Sequence, residues 1–254
     1  MTISPPSERI VILIKALPQP SKKYGETVCC AGVTADRRWK RLFPIRFRHL
    51  KGESSFSRWD WVSFNYGRPK SDTRKESCHV HEESIAIGGK LKEAERARLL
   101  TPMLLGSAKV AAHQGDSLAL IRPRNTRFLW KAKTAEEISE EREVFRLAAR
   151  QHDLLDDEEL AELEPTPYKF SFKFDDADGA HHYHNGDWEA HAMFWRQSQE
   201  TSEIDALQWM NHVFNEDYPK KGMAFALGNM AKRPQTWQLL GVIRLNETTQ
   251  GELF

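Results

Sequence analysis

Residues 37–76 read RRWKRLFPIRFRHLKGESSFSRWDWVSFNYGRPKSDTRKE, and the alternation in this stretch decides the fold class. Strand side chains point to opposite faces with period two. Phe43, Ile45 and Phe47 therefore share one face of an extended segment, with Arg46 and Arg48 on the other. In the next apolar run Val62, Phe64 and Tyr66 share a face, opposed by Trp59, Trp61, Ser63 and Asn65. The period predicts strands over 39–48, bent at Pro44, and over 59–66, with a loop at 52–55 between them.

Working outward, the β-branched run IVILIKAL at Ile10–Leu17 predicts a buried strand that stops at Pro18 and Pro20. QPSKKYG at Gln19–Gly25 reads as a loop. TVCCAGV at Thr27–Val33 reads as a second strand, followed by a turn at Thr34–Arg37, where Asp and Thr favour local side-chain to backbone bonds. A fifth strand is expected over Glu76–Ile87. Short strands joined by polar turns predict a curved antiparallel sheet or small β-barrel.

The pattern then changes. Lys90–Leu105 fits a helical face in part and is broken at Pro102. Ser117–Ile121 and Arg127–Trp130 read as short strands. Ala135–Glu164 is acidic and helical, with Ile138, Arg142, Phe145 and Ala149 at helical spacing and an interruption over His152–Asp157. Pro165 and Pro167 end it. YKFSFKF at Tyr168–Phe174 alternates strictly and predicts a strand. A turn follows at Asp175–Ala180. Then come a helix capped by Asp187, a helix over Ile204–Phe214, and strands at Met223–Leu227 and Trp237–Leu245 around a basic loop. The expected fold class is α+β. Residues 1–90 form a basic β-rich lobe, 91–165 a mainly helical acidic segment, and 166–254 an α+β lobe that can join the first in one domain.

Charge follows the same division. Ser21–Lys75 carries 14 Lys or Arg against 5 Asp or Glu, whereas Glu136–Glu164 carries 12 acids against 3 Arg, within a chain of net charge +1. Such segregation points to a basic binding surface balanced by an acidic segment. The 3 cysteines include the adjacent pair Cys29 and Cys30 and imply no disulfide framework. The amino terminus lacks a signal-peptide pattern, and Ile10–Ile14 is too short to span a bilayer. A cytoplasmic protein without membrane association is expected. The sequence contains no phosphate-binding P-loop, no G-x-G-x-x-G and no G-x-S-x-G, which argues against the corresponding nucleotide-binding and hydrolase folds.

Two groups of residues suggest chemistry. Lys22, Lys23, Arg37, Arg38, Lys40, Arg41, Arg46 and Arg48 are candidate phosphate contacts, since guanidinium groups match phosphate oxygens in pairs. Trp39, Trp59 and Trp61 are candidate platforms for stacked bases. The second group lies in HHYHNGDWEAH at His181–His191. A strand-to-helix corner there can bring His184, Asp187 and His191 to one metal ion, with Glu189 beside them. His79 and His81, two apart on a strand, could add imidazoles. Asp72, Arg74 and Glu76 share a strand face and read as a ladder of charge pairs. The leading expectation is a nucleic-acid-binding protein, for DNA or RNA, that requires no cofactor. One alternative is a nuclease-like hydrolase that uses a divalent metal at the histidine corner. Another is an interaction module docking an acidic protein partner.

Overall fold

The computed structural model describes residues 5–17, 19–21, 25–27, 29–45, 50, 55–70, 72–150 and 164–247. The chain is α+β, and its amino-terminal part closes into a five-stranded barrel. The barrel strands are β1 (Ser7–Lys15), β4 (Cys30–Thr34), β5 (Trp39–Phe43), β6 (Asp60–Gly67) and β7 (Ser77–Lys90), arranged β1-β4-β5-β7-β6. Closure removes the unpaired edges that an open sheet of this size would expose. The expected loop at 19–25 instead carries a small hairpin, β2 (Gln19–Ser21) with β3 (Gly25–Thr27). The ladder is antiparallel except between β5 and β7, which run parallel. In the barrel β5 therefore neighbours β7 and not β6, which follows it in the chain.

The unbroken apolar run of β1 has a direct explanation, because both of its faces are buried. Ile10 and Ile12 join the barrel core with Leu42, Val62, Phe64 and Val80. Val11 and Leu13 join a second core with Leu118, Leu120, Ala224, Ala226 and Ile243. The latter belong to a four-stranded sheet of β8 (Leu104–Leu105), β9 (Leu118–Ile121), β13 (Met223–Met230) and β14 (Arg233–Arg244). The expected basic loop inside 229–235 is a tight turn between the last two. Gly32 permits the close approach of β4 to β1, because a Cβ there would lie 2.1 Å from the Val11 carbonyl oxygen.

The same period-two logic splits the second sheet. Ala119, Ile121, Phe225 and Leu227 face a third core with Phe128, Phe170, Phe172, Phe194 and Phe214. That core is closed by the sheet β10 (Arg124–Ala132), β11 (Tyr168–Asp176) and β12 (Gly179–His184) and by α4 (Trp188–Glu200) and α5 (Glu203–His212). The strict alternation at 168–174 sends Phe170, Phe172 and Phe174 inward as expected. The histidines at 181–184 stand in β12, a strand that the sequence reading placed in a turn and corner. Earlier helices are α1 (Glu93–Leu100), which ends before Pro102, α2 (Ala108–His113), and α3 (Ala135–Arg150) in the acidic region. The second short helix expected before Glu164 lies outside the described residues.

Charged side chains tie the barrel to the rest. Arg58, just before β6, donates to Asp187 Oδ1 at 2.5 Å and to the Val242 carbonyl at 3.0 Å. Asp187 Oδ2 accepts the Val242 N–H at 2.8 Å. From β1, Lys15 reaches Glu189 at 3.4 Å.

Candidate nucleic-acid interface

Part of the expected basic-aromatic surface exists as a cleft of about 580 Å³ between the barrel and α1. Its walls carry Arg9 from β1, Arg37 from the turn between β4 and β5, Trp61 from β6, and Glu95, Arg98 and Leu99 from α1. Three arginines, one carboxylate and one indole thus share the lining of this cleft. Arg9 lies over the Trp61 ring at 5.1 Å from its centroid, a favourable cation–π distance. The register explains the contact: Val11 pairs with Trp61 across β1 and β6, so Arg9 is its diagonal neighbour. Arg37 holds a left-handed backbone, φ 66°, which a non-glycine residue adopts at a cost. Its Nε donates to the Leu99 carbonyl at 3.2 Å, which fixes the head group across the cleft. Arg98 is 81% exposed on its side chain and meets Glu95 at 3.5 Å. Each of the three arginines keeps donors beyond these contacts for an anion, since a guanidinium carries five N–H groups.

The other expected phosphate contacts divide. Lys22, Lys23, Arg46 and Arg48 lie outside the described residues. Arg38 is exposed, but Asp36 at 2.6 Å and Glu8 at 3.6 Å already neutralise it. Lys40 is buried rather than solvent-facing. Burial works against its charge, yet Glu8 at 3.1 Å and the Tyr66 hydroxyl keep its pKa raised. Arg41 is only 4% exposed and donates to both the carbonyl and the hydroxyl of Ser117 at 3.1 Å. Ser117 in turn gives its N–H to Glu76 at 2.6 Å. Arg41 and Glu76 are therefore structural ties between barrel and second sheet, because β9 covers the face that the strand period alone would leave wet.

The tryptophans divide as well. Trp59 is buried, with Arg96 stacked on its ring at 4.1 Å, so it is a packing residue and not a stacking platform for a base. Trp39 is half-buried against the second core. Trp61, also half-buried, is the expected platform that lines the cleft. Arg9 and Arg98 escaped the sequence reading. Arg9 sits at the start of an apolar run and Arg98 on a helix, and only the barrel register and the docking of α1 bring them to Trp61.

The histidine corner does not gather a metal set: among the described residues, no three His, Cys, Asp or Glu side chains converge. Asp187 caps α4 by accepting the Glu189 N–H, and its oxygens are already engaged by Arg58 and Val242. Burial pushes its carboxyl up, opposed by Arg58 and the Val242 N–H. His184 is exposed on β12. His191 turns inward, with Nδ1 2.8 Å from the Thr166 hydroxyl and Nε2 3.4 Å from the Asn185 carbonyl. Burial lowers its pKa to about 4, which keeps it neutral at ordinary pH. Asp72 and Arg74 do form the expected charge pair, at 2.6 Å. Among the described residues, no helix is long and apolar enough to cross a membrane.

Comparison with curated proteins gives no match. Two family models divide the chain at the end of α1. Residues 6–102, which hold the barrel and every residue lining the cleft, match a domain of unknown function, DUF8758. Residues 101–254 match another, DUF8757. Since the second match spans more than half of the sequence, the protein belongs to the family described as domain of unknown function DUF8757.

Proposed function

We propose that this is an intracellular nucleic-acid-binding protein, and that the strand is held in the cleft between the barrel and α1. The observation that carries the reading is that Arg9, Arg37, Arg98 and the Trp61 indole line one open cleft. Guanidinium groups bind phosphate oxygens through paired, charge-assisted hydrogen bonds. The Trp61 indole, half-buried and with Arg9 over its ring, offers its remaining aromatic surface to a base, and base stacking on an aromatic is worth about 1–3 kcal/mol. A groove that combines cations with an aromatic platform suits a single strand, whose bases are free to stack.

The test is fluorescence anisotropy with labelled single- and double-stranded DNA and RNA across a salt series. Three phosphate contacts predict that log K falls against log salt with a slope of about −2 to −3. Single strands should bind best. Absence of salt-sensitive binding to all four probes would sink the reading and leave the cleft as a docking surface for an acidic protein segment. Intact oligonucleotides after incubation with Mg²⁺, Mn²⁺ or Zn²⁺ are expected, in keeping with the dispersed histidine corner.

A further inference from the structure

The second lobe contains a cavity of about 480 Å³ that shares no residue with the arginine cleft. It lies between α3, β11 and α4. Its aromatic walls are Phe145, Tyr168, Phe170, Trp188 and Trp195. This is the size and lining of a small-molecule site, in which ring faces supply contact area and a few polar groups set orientation.

The polar groups define what could enter. Lys133 on the wall is already paired with Glu141 at 2.5 Å, Lys169 with Glu137, and Glu164 with Arg142. His191 is neutral for the reason given above. Every described charge on this wall thus has a partner, and an ionic ligand would have to displace one. Asn185, also on the wall, is buried. Its Oδ1 accepts the Asp187 N–H at 3.0 Å, which fixes the amide orientation. Its Nδ2 has no hydrogen-bond partner. A buried donor left unmade costs free energy, so the site is short of one acceptor.

We infer that this cavity binds an uncharged nucleoside-like molecule: a planar heterocycle between the aromatic walls, with a ring nitrogen or carbonyl that accepts from Asn185. The inference does not rest on the nucleic-acid reading, since the two sites are separate. The histidine corner thereby acquires a different role. His191 is a neutral wall group that braces Thr166, with no metal involved.

Isothermal titration of the full chain with adenosine, guanosine, cytidine and uridine tests this, each to about 1 mM, a concentration that detects even weak sites. At least one nucleoside should bind, and its 5′-monophosphate should bind no more tightly to the Arg9→Glu, Arg98→Glu protein, in which the arginine cleft no longer attracts the phosphate. Ala192→Trp fills the cavity from α4 and should weaken binding at least tenfold, while Arg98→Glu in the cleft should leave it unchanged. Should Ala192→Trp fail to fold, Trp195→Ala removes one aromatic wall and should also weaken binding. The inference is overturned if none of the four nucleosides binds, if the folded cavity variant binds as well as the parent, or if the monophosphate binds more tightly than its nucleoside in the Arg9→Glu, Arg98→Glu protein.

Discussion

Two sets of arginines separate the barrel's inner boundary from its open side. Arg41 and Arg58 are covered by the second lobe and are held there by Ser117, Asp187 and Val242. Arg9, Arg37 and Arg98 border a cleft and keep donors for something else. Residue type is the same in the two sets, and each includes one strand residue, Arg41 of β5 and Arg9 of β1. What differs is whether another layer of the protein lies over them. A basic stretch is thus two things at once here, a fastening between lobes and a surface, and only tertiary context tells which arginine does which.

The comparison predicts opposite responses to mutation. Removing one member of a buried ion pair leaves the other charge uncompensated. Arg58→Ala should therefore lower unfolding free energy by about 3–5 kcal/mol in chemical denaturation. It should do so without a specific effect on the cleft in protein that remains folded. A loss below about 1 kcal/mol would mean that Arg58 is not the fastening described. Gly32→Ala places a methyl against the Val11 carbonyl and should cost about 1–3 kcal/mol by the same measurement, through the β1–β4 approach that holds Arg9 in place.

The effect of His191 depends on pH. Its folded pKa is depressed to about 4 by burial, below the usual value of about 6.5. The unfolded chain therefore takes up a proton first as pH falls. The stabilising contribution is complete above about pH 6.5 and is lost progressively down to about pH 4, by about 3 kcal/mol at most. His191→Gln should flatten that part of the stability–pH curve; an unchanged slope would show that the ring is more hydrated than its position implies. Least of all, Arg98→Ala should shift stability by less than about 0.5 kcal/mol, since the side chain is exposed and its pairing with Glu95 is a surface one.

Where one face of a strand alternates with the other, the fold could be read directly. Ile10–Ile14 announces a strand buried on both sides, Tyr168–Phe174 a strand with its phenylalanines inward, and Asp187 a helix cap. The α+β class with an amino-terminal barrel follows from such local signals. The parallel pairing of β5 with β7 does not, because it depends on a crossover of non-local contacts. The site was readable only in part for the same reason. Arg37 and Trp61 belong to the stretch that alternation singles out. Burial of Arg41 and Trp59 depends on β9 and α1, and the cleft's other arginines come from β1 and α1. The histidine corner was readable as a strand-to-helix junction, but Asp187 is claimed there by Arg58, 129 residues away in the chain.

The most direct test of the central claim is a charge swap at matched net charge. Arg9→Glu with Arg98→Glu alters the cleft, whereas Lys232→Glu with Arg233→Glu makes the same change on the exposed β13–β14 turn. Anisotropy with a labelled single strand at low salt should show the cleft variant weakened roughly 100-fold, the loss of two charge-assisted contacts, and the turn variant close to the parent. Equal losses in the two folded variants would show that the strand responds to overall charge and has no seat at Arg9, Arg98 and Trp61.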